Sequence, residues 1–153
     1  MSEIDLTNDE KARYARHLIL PQVGEVGQKK IKSASVLVVG AGGLGSPVLM
    51  YLAAAGIGKI GIIDDDKIEL TNLQRQIIHS TSSIGELKTE SAKKRINQIN
   101  PEIIVEIFDT RLTIENAKEI INRYDVIVDG TDNFATRYTI SDCCEILGKP
   151  WVF

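Results

Sequence analysis

Thiols are almost absent from this chain: it has two cysteines, and they are neighbours, Cys143 and Cys144. Adjacent cysteines suit neither a disulfide framework nor the C-x-x-C spacing of a zinc site, so both read as helix residues, at least one of them in the core. Histidine is equally scarce. His17 and His79 stand alone, without a second ligand at metal spacing, and each reads as structural. No apolar run approaches the ~20 residues of a membrane-spanning helix, and the polar start Met1-Ser2-Glu3-Ile4-Asp5 has no signal-peptide apolar region. The expectation is a cytoplasmic protein without a membrane partner. Basic residues are not in excess: net charge is −3 and the longest basic cluster is Lys29-Lys30-Ile31-Lys32. That balance argues against wholesale nucleic-acid binding. There is also no G-x-x-x-x-G-K-[ST], which excludes a P-loop enzyme.

What the chain does have is enough apolar sequence, 43% of 153 residues, to bury one core of ordinary size. Its most informative stretch is Val36-Leu37-Val38-Val39-Gly40-Ala41-Gly42-Gly43-Leu44-Gly45-Ser46, an apolar strand running into a glycine turn. Gly40, Gly42 and Gly45 fit G-x-G-x-x-G, in which glycines permit a tight turn, close backbone approach to a phosphate, and close packing of helix on strand. A helix follows, with Pro47 near its first position, and Gly56-Ile57-Gly58 stops it. The next strand, Lys59-Ile60-Gly61-Ile62-Ile63-Asp64, ends on an acid at about the spacing of a ribose-binding carboxylate, roughly 20 residues on. Two more acids follow, Asp65 and Asp66. The alternative is a plain strand-to-helix turn that binds nothing, and the strand, helix and acid around the glycines count against it.

The remaining elements alternate. Thr7-Asn8-Asp9-Glu10 forms a capping box before a helix from about 8 to 18. An irregular stretch with Pro21, Gly24 and Gly27 leads to a short helix, 28–33, before the first strand. Residues 86–98 read as a helix with Leu87, Ala92, Ile96 and Ile99 on one face, stopped by Asn100-Pro101. A strand is predicted over 103–108. Thr113 caps a helix through Arg123 that buries Ile114, Ala117, Ile120 and Ile121. Residues 124–130 form another buried strand, a helix from about 133 to 147 carries Tyr138, Ile140 and Cys144 inward, and 149–153 begins one more strand. Alternating strands and helices predict an α/β fold, a doubly wound, mostly parallel Rossmann-like sheet with helices on both faces, preceded by N-terminal helices. The division expected is an N-terminal helical segment, 1–33, and a nucleotide-binding domain, 34–153. The last residues, Trp151-Val152-Phe153, stop inside an apolar strand, which points to a truncated or proteolysed fragment.

Three segments go beyond a plain dinucleotide site: Arg13-Tyr14-Ala15-Arg16-His17, Thr71-Asn72-Leu73-Gln74-Arg75-Gln76 and Asp129-Gly130-Thr131-Asp132-Asn133. All three are expected to converge with the glycine turn on the crevice at the carboxyl ends of the strands. Arg75 and Lys88 could then neutralise a triphosphate, the arginine as a rigid fork and the lysine as a mobile point charge. Asp132, just past its strand, is placed like a Mg²⁺ ligand, since magnesium takes one or two carboxylates with phosphate oxygens and water. Singly, each has a blander reading: a loop charge for Arg75, a solvated helix residue for Lys88, a helix N-cap for Asp132.

Taken together, Gly40-Ala41-Gly42-Gly43-Leu44-Gly45, Asp64-x-Asp66, Asn72-Leu73-Gln74-Arg75-Gln76 and Thr131-Asp132-Asn133 resemble the ubiquitin-activating-enzyme-like adenylyltransferase family of MoeB, ThiF and HesA. The likeness spans nearly all of the chain, including the early Arg-Tyr-x-Arg. It implies that MgATP adenylates the C-terminal glycine carboxylate of a small ubiquitin-like sulfur-carrier protein and releases pyrophosphate. It also implies that Gly42 and Gly43 lie against the phosphates and that Asp64 binds the ribose, with Asp66 beside it. Thr71, Asn72, Leu73, Gln74, Arg75, Gln76 and Lys88 would hold the nucleotide, and Asp132 would serve the metal and the adenylation step, with Asn133 beside it. Arg16 matches an arginine that reaches across a homodimer into the neighbouring site, so Arg16, Arg75, Lys88 and Asp132 are the implied catalytic set. Family members run on to a carrier-binding surface, a crossover loop that often bears a cysteine, and commonly two zinc-binding C-x-x-C pairs. Zinc is therefore expected only outside these residues, and Cys143 and Cys144 have no catalytic role. The rival readings are an NAD-dependent oxidoreductase, a tRNA-modifying ATP-dependent relative of the same family, and a non-catalytic dimerisation fragment.

Overall fold

A computed structural model describes residues 5–153; the polar start read above, residues 1–4, lies outside the described residues. The capping box forms as read. Thr7 Oγ1 accepts from the Glu10 N–H at 3.2 Å, and the Glu10 carboxylate accepts from the Thr7 N–H at 2.8 Å. The single helix expected over 8–18 is instead two, α1 (Asn8–Arg13) and α2 (Ala15–Leu18), broken at Tyr14. The break has a packing cause. Tyr14 is buried, its ring lies against Gly56, and its hydroxyl accepts from Asn100 Nδ2 at 2.8 Å, so the side chain anchors these helices to the body of the protein. Helix α3 (Gly24–Ser33) begins a turn earlier than expected, at a glycine with φ +56°.

Five strands form one sheet: β1 (Ser35–Val39), β2 (Lys59–Ile63), β3 (Ile104–Phe108), β4 (Val126–Asp129) and β5 (Trp151–Val152). All pairings are parallel, in the order β3-β2-β1-β4-β5. Because successive strand residues point to opposite faces, the apolar run of β1 feeds two cores. Val36 and Val38 pack with Leu49 and Ala53 of α4 (Gly45–Ala55) and Ala92 and Ile96 of α5 (Lys88–Ile99). Leu37 and Val39 pack with Ala117 and Ile121 of α6 (Ile114–Asn122) and Ile140 and Cys144 of α7 (Phe134–Leu147). The doubly wound α/β architecture is thus the observed one.

Cys144 is buried, and burial pushes its thiol up to about 11, consistent with a packing role. Two residues assigned inward are not. Ile114 is 80% exposed because it is the first helical residue after the Thr113 cap, a turn short of the sheet; Tyr138 is 66% exposed and stacks on Phe134 along the outer face of α7. Among the described residues no helix is long and apolar enough to cross a membrane.

Candidate active site

After β1 the chain crosses to β2 on one side, while β4, the other neighbour of β1, lies on the opposite side. That arrangement opens a crevice at the carboxyl ends of the strands. A cavity of about 520 Å³ lies there, within the ~300–1,000 Å³ usual for cofactor sites. The glycine turn is its floor. Gly40 has φ +94°, and a Cβ on it would meet the Gly130 carbonyl oxygen at 2.9 Å; a Cβ on Gly45 would meet the Gly40 oxygen at 1.9 Å. These two glycines are required by the fold itself. Gly42 and Gly43 differ: a Cβ there would meet only Gln76 Nε2 at 3.6 Å or Arg75 Cδ at 3.5 Å, ordinary contacts. Among the described residues nothing requires these two to be glycine, and both border the open cavity.

On the β2 side, Asp64 is tied into the turn. Its Oδ2 accepts from the Ala41 N–H and its Oδ1 from the Asp66 N–H, both at 2.8 Å. Burial raises its pKa and those two backbone bonds oppose the rise. The carboxylates of Asp64, Asp65 and Asp66 approach within 4.8 Å of one another, yet each is engaged by the protein. Lys88 Nζ lies 2.8 Å from Asp66, and Arg111 Nε lies 3.5 Å from Asp65. Lys88 is only 6% exposed, so its charge sits in the wall rather than in solvent. The Arg75 side chain lies over Gly43, its Nη1 donating to the Thr71 carbonyl at 3.2 Å. Beside it Gln76 is buried, and its Oε1 has no hydrogen-bond partner among the described residues.

On the β4 side, buried Asp129 organises the loop. One oxygen accepts from the Thr131 N–H at 2.8 Å and from Thr131 Oγ1 at 2.6 Å, and the other meets Arg137 Nε at 3.1 Å. Arg137 also donates to the Thr131 carbonyl at 3.3 Å. Asn133, not Asp132, caps α7, accepting from the Thr136 N–H at 2.9 Å. The Asp132 carboxylate is left exposed on the cavity wall, and no hydrogen bond engages it among the described residues.

Nine residues singled out from the sequence therefore line one cavity: Gly42, Gly43, Asp64, Asp66, Arg75, Gln76, Lys88, Asp132 and Asn133. Thr71, Asn72, Leu73 and Gln74 do not. They lie in and just after the 3₁₀ turn Leu70–Asn72, where Asn72 Oδ1 accepts from the Glu69 N–H at 3.0 Å, and so they shape the approach to Arg75. The expected convergence of residues 13–17 on the crevice is also corrected. Arg13 donates to the Ile99 carbonyl and Tyr14 contacts Gly56 and Asn100, which precede β2 and β3, so this segment sits at the amino ends of the strands. Arg16, exposed on α2, does not line the cavity of its own chain. Asp65 was read from the sequence only as one of three consecutive acids, and the loop Thr110-Arg111-Leu112, which also lines the cavity, was missed. The end of the 103–108 strand was the available signal, since the residues that follow every parallel strand face this rim.

The model of the ThiF family matches residues 14–153. The chain is 52% identical over 147 residues to a sulfur carrier protein adenylyltransferase from Thermus thermophilus, covering 96% of this chain and 54% of that protein. It is 53% identical over 148 residues to the probable adenylyltransferase/sulfurtransferase MoeZ of Mycobacterium tuberculosis, covering 97% and 38%. The chain thus spans about half, or less, of the length of these curated relatives. Among solved structures, E. coli tRNA N6-threonylcarbamoyladenosine dehydratase in complex with ATP superposes with a TM-score of 0.90 at 31% identity, covering 95% of this chain and 59% of that one.

Proposed function

The chain belongs to the ThiF family, and from that premise we propose that it carries the ATP site of an adenylyltransferase acting on a ubiquitin-like sulfur-carrier protein. The observation that carries this reading is the gathering of the glycine turn, Asp64, Arg75, Lys88 and Asp132 around one cavity. A plain dinucleotide site needs the first two features and has no use for a buried lysine and an arginine beside the turn. Identities above 50% to proteins named as adenylyltransferases, against 31% to the tRNA dehydratase, favour a carrier protein over tRNA as the acceptor.

In this reading the ribose hydroxyls bond Asp64, the phosphates lie over Gly42 and Gly43, and Arg75 and Lys88 meet their oxygens. A carboxylate oxygen of the carrier attacks the α-phosphorus; the bond to the β-phosphate oxygen breaks and pyrophosphate leaves with its electron pair. Bringing one anion to another makes positioning and cationic stabilisation the main sources of rate, and no side-chain nucleophile is needed. Asp132 suits a Mg²⁺ ligand because its carboxylate is unengaged while Asp64, Asp65 and Asp66 are all bonded within the protein. When bound, the ion would neutralise phosphate charge. Arg16, remote from its own cavity, would serve the neighbouring site in a homodimer. A cytoplasmic location is part of this reading, with no described helix long and apolar enough to cross a membrane.

ATP–pyrophosphate exchange tests the reading. Wild-type protein should exchange only when given a carrier ending in a free glycine carboxylate, and Asp132→Ala should abolish exchange while leaving the melting temperature unchanged. Full exchange by Asp132→Ala would remove the metal assignment, and absence of exchange with any carrier would remove the adenylation reading.

A further inference from the structure

Two side chains fix the peptides of the glycine turn from distant parts of the sequence. Ala41 donates its N–H to Asp64, 23 residues on. The Ala41 carbonyl oxygen lies 2.9 Å from Nε2 of His79, 38 residues on, and Nδ1 of the same ring lies 3.0 Å from Ser91 Oγ on α5. A carbonyl oxygen only accepts, so Nε2 carries the proton. Burial holds the imidazole below its ordinary pKa, which favours the neutral ring; with Nε2 protonated, Nδ1 accepts from the Ser91 hydroxyl, whose other contact, to Ser83 Oγ, is longer at 3.4 Å. His79 and Ser91 are both buried, which makes this a fixed relay and not a surface contact.

The relay determines where the next N–H points. No cis peptide occurs among the described residues, and in a planar trans unit the N–H lies opposite the C=O. With the Ala41 carbonyl held toward His79, the Gly42 N–H faces the other way. Gly42 borders the cavity, and its N–H makes no hydrogen bond among the described residues. The peptides on either side are held as well, by the Ala41 N–H on Asp64 and by the Gly42 carbonyl accepting from the Ser46 N–H at 2.9 Å, so the His79 contact is the one that bears on the Ala41–Gly42 peptide itself. We propose that His79, oriented by Ser91, is a positioning residue that aims the Gly42 N–H into the cavity as a fixed donor to a phosphate oxygen of the nucleotide. The inference rests on the ATP reading of the site. A donor held in place before the nucleotide arrives needs no reorganisation on binding, which is where its value lies.

The test is calorimetric titration of ATP and of adenosine into wild type, His79→Ala and His79→Gln. Adenosine has the base and ribose but no phosphate, and the glutamine amide can place an N–H near the position of Nε2. His79→Ala should bind ATP about 10- to 100-fold more weakly, the size of one lost hydrogen bond to a charged group, with adenosine affinity unchanged and ATP affinity largely restored by His79→Gln. Equal ATP binding by wild type and His79→Ala would overturn this inference alone, as would parallel loss of adenosine. Wild type that binds adenosine but not ATP would overturn the ATP reading and the inference together. A second measurement needs no variant: ¹H–¹⁵N correlation of the wild-type imidazole should report the Nε2–H tautomer for His79, and an Nδ1–H tautomer would overturn the proposal.

Discussion

At the scale of single residues, the four glycines of the turn divide into two kinds. Gly40 and Gly45 are required by contacts within the chain; a Cβ on Gly42 or Gly43 would make only ordinary contacts with the Gln76 or Arg75 side chain. A methyl group on Gly45 would sit 1.9 Å from a backbone oxygen that cannot move without unseating β1, so Gly45→Ala should cost about 1–3 kcal/mol or more in urea unfolding. Gly42→Ala should stay within about 0.5 kcal/mol of wild type, as surface changes do. It should nonetheless lose ATP affinity, because the methyl projects where the phosphates pass. Normal ATP binding by Gly42→Ala would mean that the turn does not lie against the nucleotide. The same division explains why a three-glycine pattern is a weak signal by itself: two of its glycines speak for the fold and only one for the ligand.

At the scale of elements, the junction between β4 and α7 is a tied loop. Asp129 holds Thr131, and Arg137, in the first turn of α7, holds both Asp129 and the Thr131 carbonyl. This tie determines where Asp132 stands. Arg137→Met would leave a buried carboxylate without its cation, an expected loss of about 1–3 kcal/mol after discounting for the partly exposed guanidinium, and should weaken pyrophosphate exchange more than ATP binding. Equal stability of the variant by denaturant unfolding would show that Thr131 alone holds Asp129. Arg137 was not legible in the sequence, whereas Asp132 was. The glycine turn, Asp64 and Asp132 belong to short runs at strand ends, and such runs announce themselves by pattern. The Asp129–Arg137 and His79–Ala41 ties join residues that only the finished fold brings together. Helix faces were legible at Ala117, Ile121, Ile140 and Cys144 and failed at Ile114 and Tyr138. Ile114 precedes the part of α6 that the sheet covers, and Tyr138, two residues before Ile140, lies about 200° round α7 from it, so the two cannot share a face. The break at Tyr14 has a tertiary origin, because local propensity favours one helix and the aromatic anchor against Gly56 and Asn100 overrides it.

At the scale of the molecule, the two ends of the sheet have different contents. The carboxyl end holds the cavity with Lys88, Arg75 and Asp132, and the amino end holds α1 and α2 with Arg16. If Arg16 serves a neighbouring site, Arg16→Ala and Asp132→Ala proteins, each inactive, should regain partial exchange activity on mixing, since a mixed dimer holds one intact composite site. Verified heterodimers without activity would confine each site to one chain. The central claim is that this fold binds a triphosphate, and it is tested most directly by titrating the 153-residue chain with MgATP and, in parallel, with NAD while following the melting temperature. The account predicts a rise with ATP that grows with Mg²⁺ and none with NAD; a rise with NAD and none with ATP would contradict it.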